Sequence, residues 1–224
     1  MKIKSAFCIT VAAALLSCTG LYAQKSMKFF VSAQGGAAFS LNENYQAYFA
    51  EKKGEQLFAA EGSFAVGAYF NERYGARLSF EYSDNKGATN YQESFGNFRP
   101  FQFRSGIGFA DFIVNAGDVS KPKVCNCRFF AGLGYACSFD FRKDDTTPWW
   151  SGLDTGPNHS FGIRAGMIIE FVIPGDVGFF FEPCIEMFTD KYNGIAPKDP
   201  TSGQSLGFPF DFKINNSFGI AYHF

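Results

Sequence analysis

The stretch Phe218-Gly219-Ile220-Ala221-Tyr222-His223-Phe224 decides how this chain is read. Large apolar residues stand at 218, 220, 222 and 224, with small or polar residues between them. A repeat of two is the signature of a strand with one apolar face. The same parity runs back through Ile214 and Phe212. A strand that stops on an aromatic of its apolar face suits a sheet whose greasy side meets lipid, as the closing strand of a transmembrane β-barrel does.

The start of the chain fits export. Lys2 and Lys4 precede an apolar run, Ala6 to Leu16, and Leu21-Tyr22-Ala23 followed by Gln24 offers a small-residue cleavage site. Residues 1–23 are therefore expected to be a signal peptide and 24–224 a single β-barrel domain. A rival reading takes Leu15-Leu16-Ser17-Cys18 as a lipoprotein box with a non-ideal leucine, but Ala23 before Gln24 makes the better cut. Only Gln24 to Met27 would precede the first strand, which leaves no room for a periplasmic domain there. No later segment approaches the roughly 20 apolar residues of a membrane helix. Hydrophobic content is nonetheless 46% at a mean hydropathy of -0.08, so the apolar residues are interspersed with polar ones. Thirty phenylalanines and ten tyrosines suit lipid-facing strands with interfacial girdles. A net charge of -1 without a basic block removes the electrostatic reason to expect a nucleic-acid partner.

Eight alternating segments follow, near 28–41, 58–70, 76–83, 101–115, 125–141, 160–172, 178–190 and 212–224. The fifth is the clearest: Cys125, Cys127, Phe129, Ala131, Leu133, Tyr135, Cys137, Phe139 and Phe141 share one parity. The fourth sets Phe101, Phe103, Ile107 and Phe109 outward against Gln102 and Arg104, and its phase then breaks at Ala110-Asp111-Phe112. Either a β-bulge repairs that break or Asp111 lies at the membrane edge. Pro183 in the seventh segment removes a ladder donor and suggests a second bulge. Connections near 42–57, 84–100, 143–159 and 191–211 are long and alternate with short ones, as outer loops alternate with periplasmic turns. The expected fold is an all-β, eight-stranded antiparallel transmembrane barrel in up-and-down order. A soluble lipid-binding barrel is the alternative, but it would turn its large apolar side chains inward.

The charges support this orientation. An arginine on the lipid face at mid-bilayer costs roughly 2–4 kcal/mol. Arg77, Arg104, Arg128 and Arg164, with Glu61, Glu81, Glu170, Glu182 and Glu186, all take the parity opposite the main phenylalanine row of their strands. Small inward residues such as Gly67, Gly132, Gly134 and Gly166 leave room for these long side chains to cross and pair. Buried ions are tolerated only when paired, so the expectation is an ion-paired, plugged lumen. A narrow porin-like channel or small-solute transporter is the alternative.

Catalytic constellations are sparse. His159 and His223 are the histidines. His223 reads as a polar residue at the lumen end. His159-Ser160 stand side by side and would face opposite sides of a strand, whereas a nucleophile needs its base within hydrogen-bond reach. The mature cysteines are Cys125, Cys127, Cys137 and Cys184. Cys137 lies ten or more residues along the same extended strand, beyond bridging distance, and Cys184 is on another strand and the opposite face. Cys125 and Cys127 share a face at roughly 6.6 Å, near the limit for a disulfide; apolar filler is the expected role of all four. One Cys-x-Cys with no nearby histidine falls short of a zinc site, and no cofactor or metal is expected. Pro148-Trp149-Trp150, with Tyr45, Tyr48, Tyr91, Phe208 and Phe210, reads as an interfacial girdle in preference to a binding surface.

The secretory start, eight alternating segments, long–short loop rhythm and aromatic end resemble the small outer-membrane β-barrel superfamily of OmpX-like proteins and the OmpA membrane domain. Over the whole mature chain that resemblance rests on pattern, without an invariant motif. It implies residence in the cell outer membrane among lipid and lipopolysaccharide. It further implies that Phe218, Ile220, Tyr222 and Phe224 form the C-terminal signal read by the barrel-assembly machinery. Unlike in full-length OmpA, no peptidoglycan-binding domain is expected after the barrel, whose last strand runs to Phe224. The function expected is non-enzymatic: structural or adhesive, with four long loops free to meet an extracellular ligand. His159-Ser160 only distantly resembles the outer-membrane lipid A deacylases, whose His and Ser share a strand face, so a lipid A-modifying enzyme is the weakest alternative.

Overall fold

The computed structural model describes residues 27–41, 59–89, 99–117, 124–143, 156–173, 176–189, 191–194 and 210–224. Residues 1–23, expected to be a signal peptide, and Tyr45, Tyr48, Tyr91, Pro148, Trp149, Trp150 and Phe208 lie outside these residues. Eight strands close into one antiparallel barrel: β1 (Lys28–Leu41), β2 (Ala59–Tyr69), β3 (Tyr74–Thr89), β4 (Arg99–Asn115), β5 (Cys125–Lys143), β6 (Asn158–Ile173), β7 (Val177–Thr189) and β8 (Phe210–His223). Each strand pairs with the next, and β1 pairs with β8. The meander expected from the sequence is the observed topology.

The C-terminal stretch forms the seam. Phe29 and Phe224 exchange both backbone hydrogen bonds at 2.9 Å, and their rings stack at 6.1 Å. Phe218, Ile220, Tyr222 and Phe224 are all exposed on the outer wall. Around the barrel that wall continues through Phe29, Phe64, Leu78, Phe80, Phe112, Phe129, Leu133, Phe161, Phe171 and Ile185. In water such a continuous apolar belt would be an aggregation surface; in a bilayer it is the solvated face. At the end bearing the termini, the β2–β3 turn is closed by Asn71, whose Oδ1 accepts from the backbone of Arg73 and Tyr74, each at 2.8 Å. A side chain that copies a backbone turn is the usual work of asparagine here.

Strand β4 departs from its predicted orientation. Phe103, Ile107, Phe109 and Ile113 are buried inside, together with Asp111, while Phe112 is exposed. The β4 pairing with β3 and β5 runs unbroken through Ala110-Asp111-Phe112, so neither a bulge there nor a membrane-edge position for Asp111 is needed. The phase is set by the carboxylate. With Phe103, Ile107 and Phe109 outward, Asp111 would face lipid or the strand would have to slip. With them inward, Asp111 meets two guanidiniums and the outer parity is left to Gly106, Gly108, Ala110, Phe112 and Val114.

The bulges also fall elsewhere. Across Pro183 the β6–β7 register resumes in step, from Gly166–Cys184 to Ile169–Phe181, so the proline interrupts pairing without inserting a residue. The register does shift between Gln102 and Arg104 of β4, where β5 carries the extra residue. There Asp140 adopts φ 54, a left-handed conformation that Asp tolerates better than most residues. The shift turns Phe141 from the outward parity to stack on Phe103 at 5.2 Å.

Three strands rise past their neighbours. The β2–β3 ladder ends at Ala60–Asp84 and the β5–β6 ladder at Ser138–Asn158. The β3–β4 and β4–β5 ladders continue to Thr89–Arg99 and Phe101–Lys143. The ends of β3, β4 and β5 thus form a three-stranded flap at the end opposite the termini.

Candidate functional site

The lumen collects the inward charges in a row that crosses six strands in register. Arg77 of β3 pairs in register with Asp111 of β4, Asp111 with Gly132, Gly132 with Arg164, Arg164 with Glu186, and Glu186 with Lys213. Apart from the glycine, the row alternates in sign. Arg77 donates to Asp111 through Nε at 2.6 Å and to both oxygens of Glu182 at 2.6 and 2.7 Å. Arg164 donates to Asp111 through Nε at 2.8 Å and Nη2 at 2.6 Å, and it also reaches Ser79. Gly132 makes this possible: a Cβ there would overlap the Asp111 carboxylate and sit 2.7 Å from the Ala110 carbonyl oxygen. Phe130 and Phe109, both inward, lie beneath the guanidiniums of Arg77 and Arg164 at 4.3 and 4.1 Å. Buried ions need such complete partnering to offset desolvation.

A second set surrounds Lys213, whose Nζ contacts Glu81, Glu61 at 3.2 Å and Glu186 at 3.6 Å. Ser217 donates to Glu61 at 3.2 Å. A third set lies toward the termini. Arg128 bridges Glu170 at 2.7 Å and donates to Asn115 at 3.0 Å, and His223 Nε2 is 2.7 Å from the other Glu170 oxygen.

Aromatic layers separate and cover these sets. Phe30, Tyr69, Ile113, Phe130, Ile168, Phe180 and Cys184 pack together between the central row and the Arg128–Glu170 set. Phe103, Ile107, Phe109, Phe188 and Tyr192 pack above the row, with Phe141 against them. Tyr192 is carried by a turn, 191–194, that folds into the mouth of the barrel. Its ring stacks on Phe188 at 4.1 Å and meets Phe103 edge-on at 5.5 Å, and its hydroxyl lies 2.9 Å from Ser105 Oγ. Burial pushes its phenol well above the usual range. Positive φ at Lys191 and Gly194 lets the turn reverse tightly, and Asn193 ties it to Asp211 at 2.6 Å.

Of the nine charges predicted for the lumen, Glu61, Arg77, Glu81, Arg128, Arg164, Glu170, Glu182 and Glu186 are buried there. Arg104 is not. With β4 reversed it lies on the outer wall near the flap, 2.8 Å from Asp140, which also holds Arg142. Sequence reasoning missed Asp111 and Lys213. Lys213 could have been found, since it shares the inward parity of Asn215, Ser217 and Gly219. Asp111 was hidden by the phenylalanines beside it on the same parity.

The other candidates separate. His159 is exposed on the outer wall, its Nδ1 2.8 Å from the Tyr135 hydroxyl, while Ser160 is buried inward. Cys125, Cys127, Cys137 and Cys184 are free thiols, with Cys184 inside the barrel.

No family model matches the chain, and no curated protein matches it. Solved structures do. Neisserial surface protein A superposes with a TM-score of 0.54 at 11% identity, covering 88% of this chain and 99% of that one. A major outer membrane protein from Thermus thermophilus gives 0.58 at 15% identity, covering 89% and 100%. At these identities the likeness is one of fold: the chain has the architecture of the small outer-membrane β-barrels, as the sequence pattern implied.

Proposed function

We propose that this chain is a non-catalytic protein of the outer membrane whose barrel is a closed support and whose work is done at the flap-bearing surface. The observation that carries this reading is the lumen filling: two aromatic layers and three ion sets occupy its length. Eight strands enclose little more than side chains can fill, and an ion would have to break charge-assisted bonds between buried partners to pass. The outer belt of phenylalanine and leucine supports seating in lipid, with outer-leaflet lipopolysaccharide as neighbour and the exposed C-terminal row offered to the barrel-assembly machinery. The flap of β3, β4 and β5 supports a structural or adhesive role toward an extracellular ligand, because it carries sheet beyond the belt. A lipid-modifying role loses support from the opposed directions of His159 and Ser160.

Planar-bilayer recording of the refolded protein tests the closed lumen: no steady current is expected, and sustained single-channel conductance would restore the porin-like alternative. Cell-binding assays with residues 87–101, the paired ends of β3 and β4 and the segment that joins them, replaced by a tight turn test the surface role. Loss of binding with the barrel still folded is the expected result. Undiminished binding would remove the flap from the proposal.

A further inference from the structure

The Lys213 set contains more negative charge than its cations offset. Glu61, Glu81 and Glu186 surround one ammonium. Counting the adjoining row adds Asp111 and Glu182 against Arg77 and Arg164. Five carboxylates therefore face three cations, an excess of two negative charges in a place closed above and below by aromatic layers. The hydrogen bonds show the same imbalance. Glu186 Oε2, 3.6 Å from Lys213 Nζ, and Asn215 Oδ1 are buried acceptors without a hydrogen-bond donor among the described residues, and Glu61 Oε2 meets only the shared Lys213 ammonium at 3.2 Å. Glu186 and Asn215 are 0% and 1% exposed, and the Asn215 amide reaches Glu81 Oε2 at 3.5 Å.

Two orphan acceptors beside three carboxylates that share one ammonium call for a missing donor. A water molecule would supply donors but leave the charge. Among the described residues, no group of His, Cys, Asp and Glu is arranged to hold a metal ion. A proton does both tasks, turning one carboxylate oxygen from acceptor to donor and removing one charge. We propose that Glu61, Glu81 and Glu186 together bind one exchangeable proton inside the barrel. The groups facing it are Glu61 of β2, Glu81 of β3, Asp111 of β4, Arg164 of β6, Glu186 and Cys184 of β7, Lys213 of β8 and Tyr192 of the mouth turn. Strands β1 and β5 turn Gln34, Gly36, Gly132 and Gly134 inward and add no charge. The proton belongs to the coupled set, not to a single residue.

The test is infrared spectroscopy of the full barrel in lipid vesicles with isotope-labelled glutamate, on the wild type and on Glu61→Gln, Glu81→Gln and Glu186→Gln. A labelled carboxylic-acid carbonyl band is expected in the wild type at pH 7 and is expected to vanish in each variant, whose amide supplies the donor and lowers the charge. The folded state would then bind a proton that the unfolded chain releases. From about pH 5 upward the wild-type unfolding constant should therefore rise roughly tenfold per pH unit relative to Glu186→Gln, until the set itself loses the proton. Absence of the band at pH 7 would overturn the proposal, as would a band that all three substitutions leave intact. So would wild-type stability that follows sodium or potassium concentration without any such band. Should one variant fail to fold, the wild-type spectrum and the remaining two still decide the matter.

Discussion

Replacing Asp111 with alanine should unfold much of what the lumen holds in place. Asp111 accepts three charge-assisted bonds, from Arg77 Nε and from Arg164 Nε and Nη2, at 2.6 to 2.8 Å. Without it, Arg77 keeps its two-bond contact with Glu182. Of its polar partners Arg164 keeps only Ser79 and a Glu186 oxygen at 3.7 Å, beside the Phe109 ring beneath it. Removing one partner from a buried pair costs roughly 3–5 kcal/mol, because the other charge stays buried. The larger share falls on Arg164, so the expected loss is about 4 kcal/mol, close to a thousandfold in the unfolding constant at about 1.4 kcal/mol per factor of ten. Asp111→Asn keeps the shape and one acceptor and should lose less. Urea titration of the refolded barrel in detergent, read by the gel-mobility difference between folded and unfolded forms, gives the comparison. Arg104→Ala is the paired control. The sequence pattern assigned Arg104 to the lumen, but the fold places it outside against exposed Asp140, so its loss should leave the midpoint where the wild type has it. A cost for Asp111→Ala below about 1 kcal/mol, or an Arg104→Ala cost equal to it, would refute the reversed β4 and the pairing built on it.

Further perturbations probe other parts of the same structure. Gly132→Ala should destabilise by roughly 1–3 kcal/mol in the same titration, because its Cβ has to displace the Asp111 carboxylate or the β4 backbone. Leu133→Arg places a cation on the outer wall, where Leu133 is 71% exposed. In a bilayer that should cost roughly 2–4 kcal/mol, and near-neutrality in vesicles would argue against a lipid-facing β5. Tyr192→Ala removes the ring stacked on Phe188 and should expose Ser105→Cys to a membrane-impermeant thiol reagent, while bilayer current stays absent because the Phe130–Phe180 layer is untouched.

Most of the architecture was legible because seven strands obey one rule, grease to one side and charge to the other. Strand β5 shows it most cleanly, and Arg128 falls inward as its parity requires. Strand β4 breaks the rule for a physical reason. Phenylalanine serves equally well against lipid and beneath a guanidinium, so its parity alone does not orient a strand. Asp111 does orient it, but only once Arg77 and Arg164 are known to stand opposite, and register between distant segments is not written in local periodicity. The bulge at Asp140 was hidden likewise, since the alternation reads straight through Phe141 and only the β4–β5 register reveals the extra residue. The Tyr192 turn lay within a connection read as loop, and its contacts join it to β4 and β7, which no neighbouring residues announce.

The measurement that goes furthest is a spin-label scan along β4, one nitroxide at a time from residue 107 to 114, reading collisions with oxygen dissolved in the bilayer. Oxygen access should peak at Gly108, Ala110, Phe112 and Val114 and fall at Ile107, Phe109, Asp111 and Ile113. Maxima at the odd positions would put Asp111 in lipid and leave Arg164 without its main partner, and the ion-filled barrel described above would not stand.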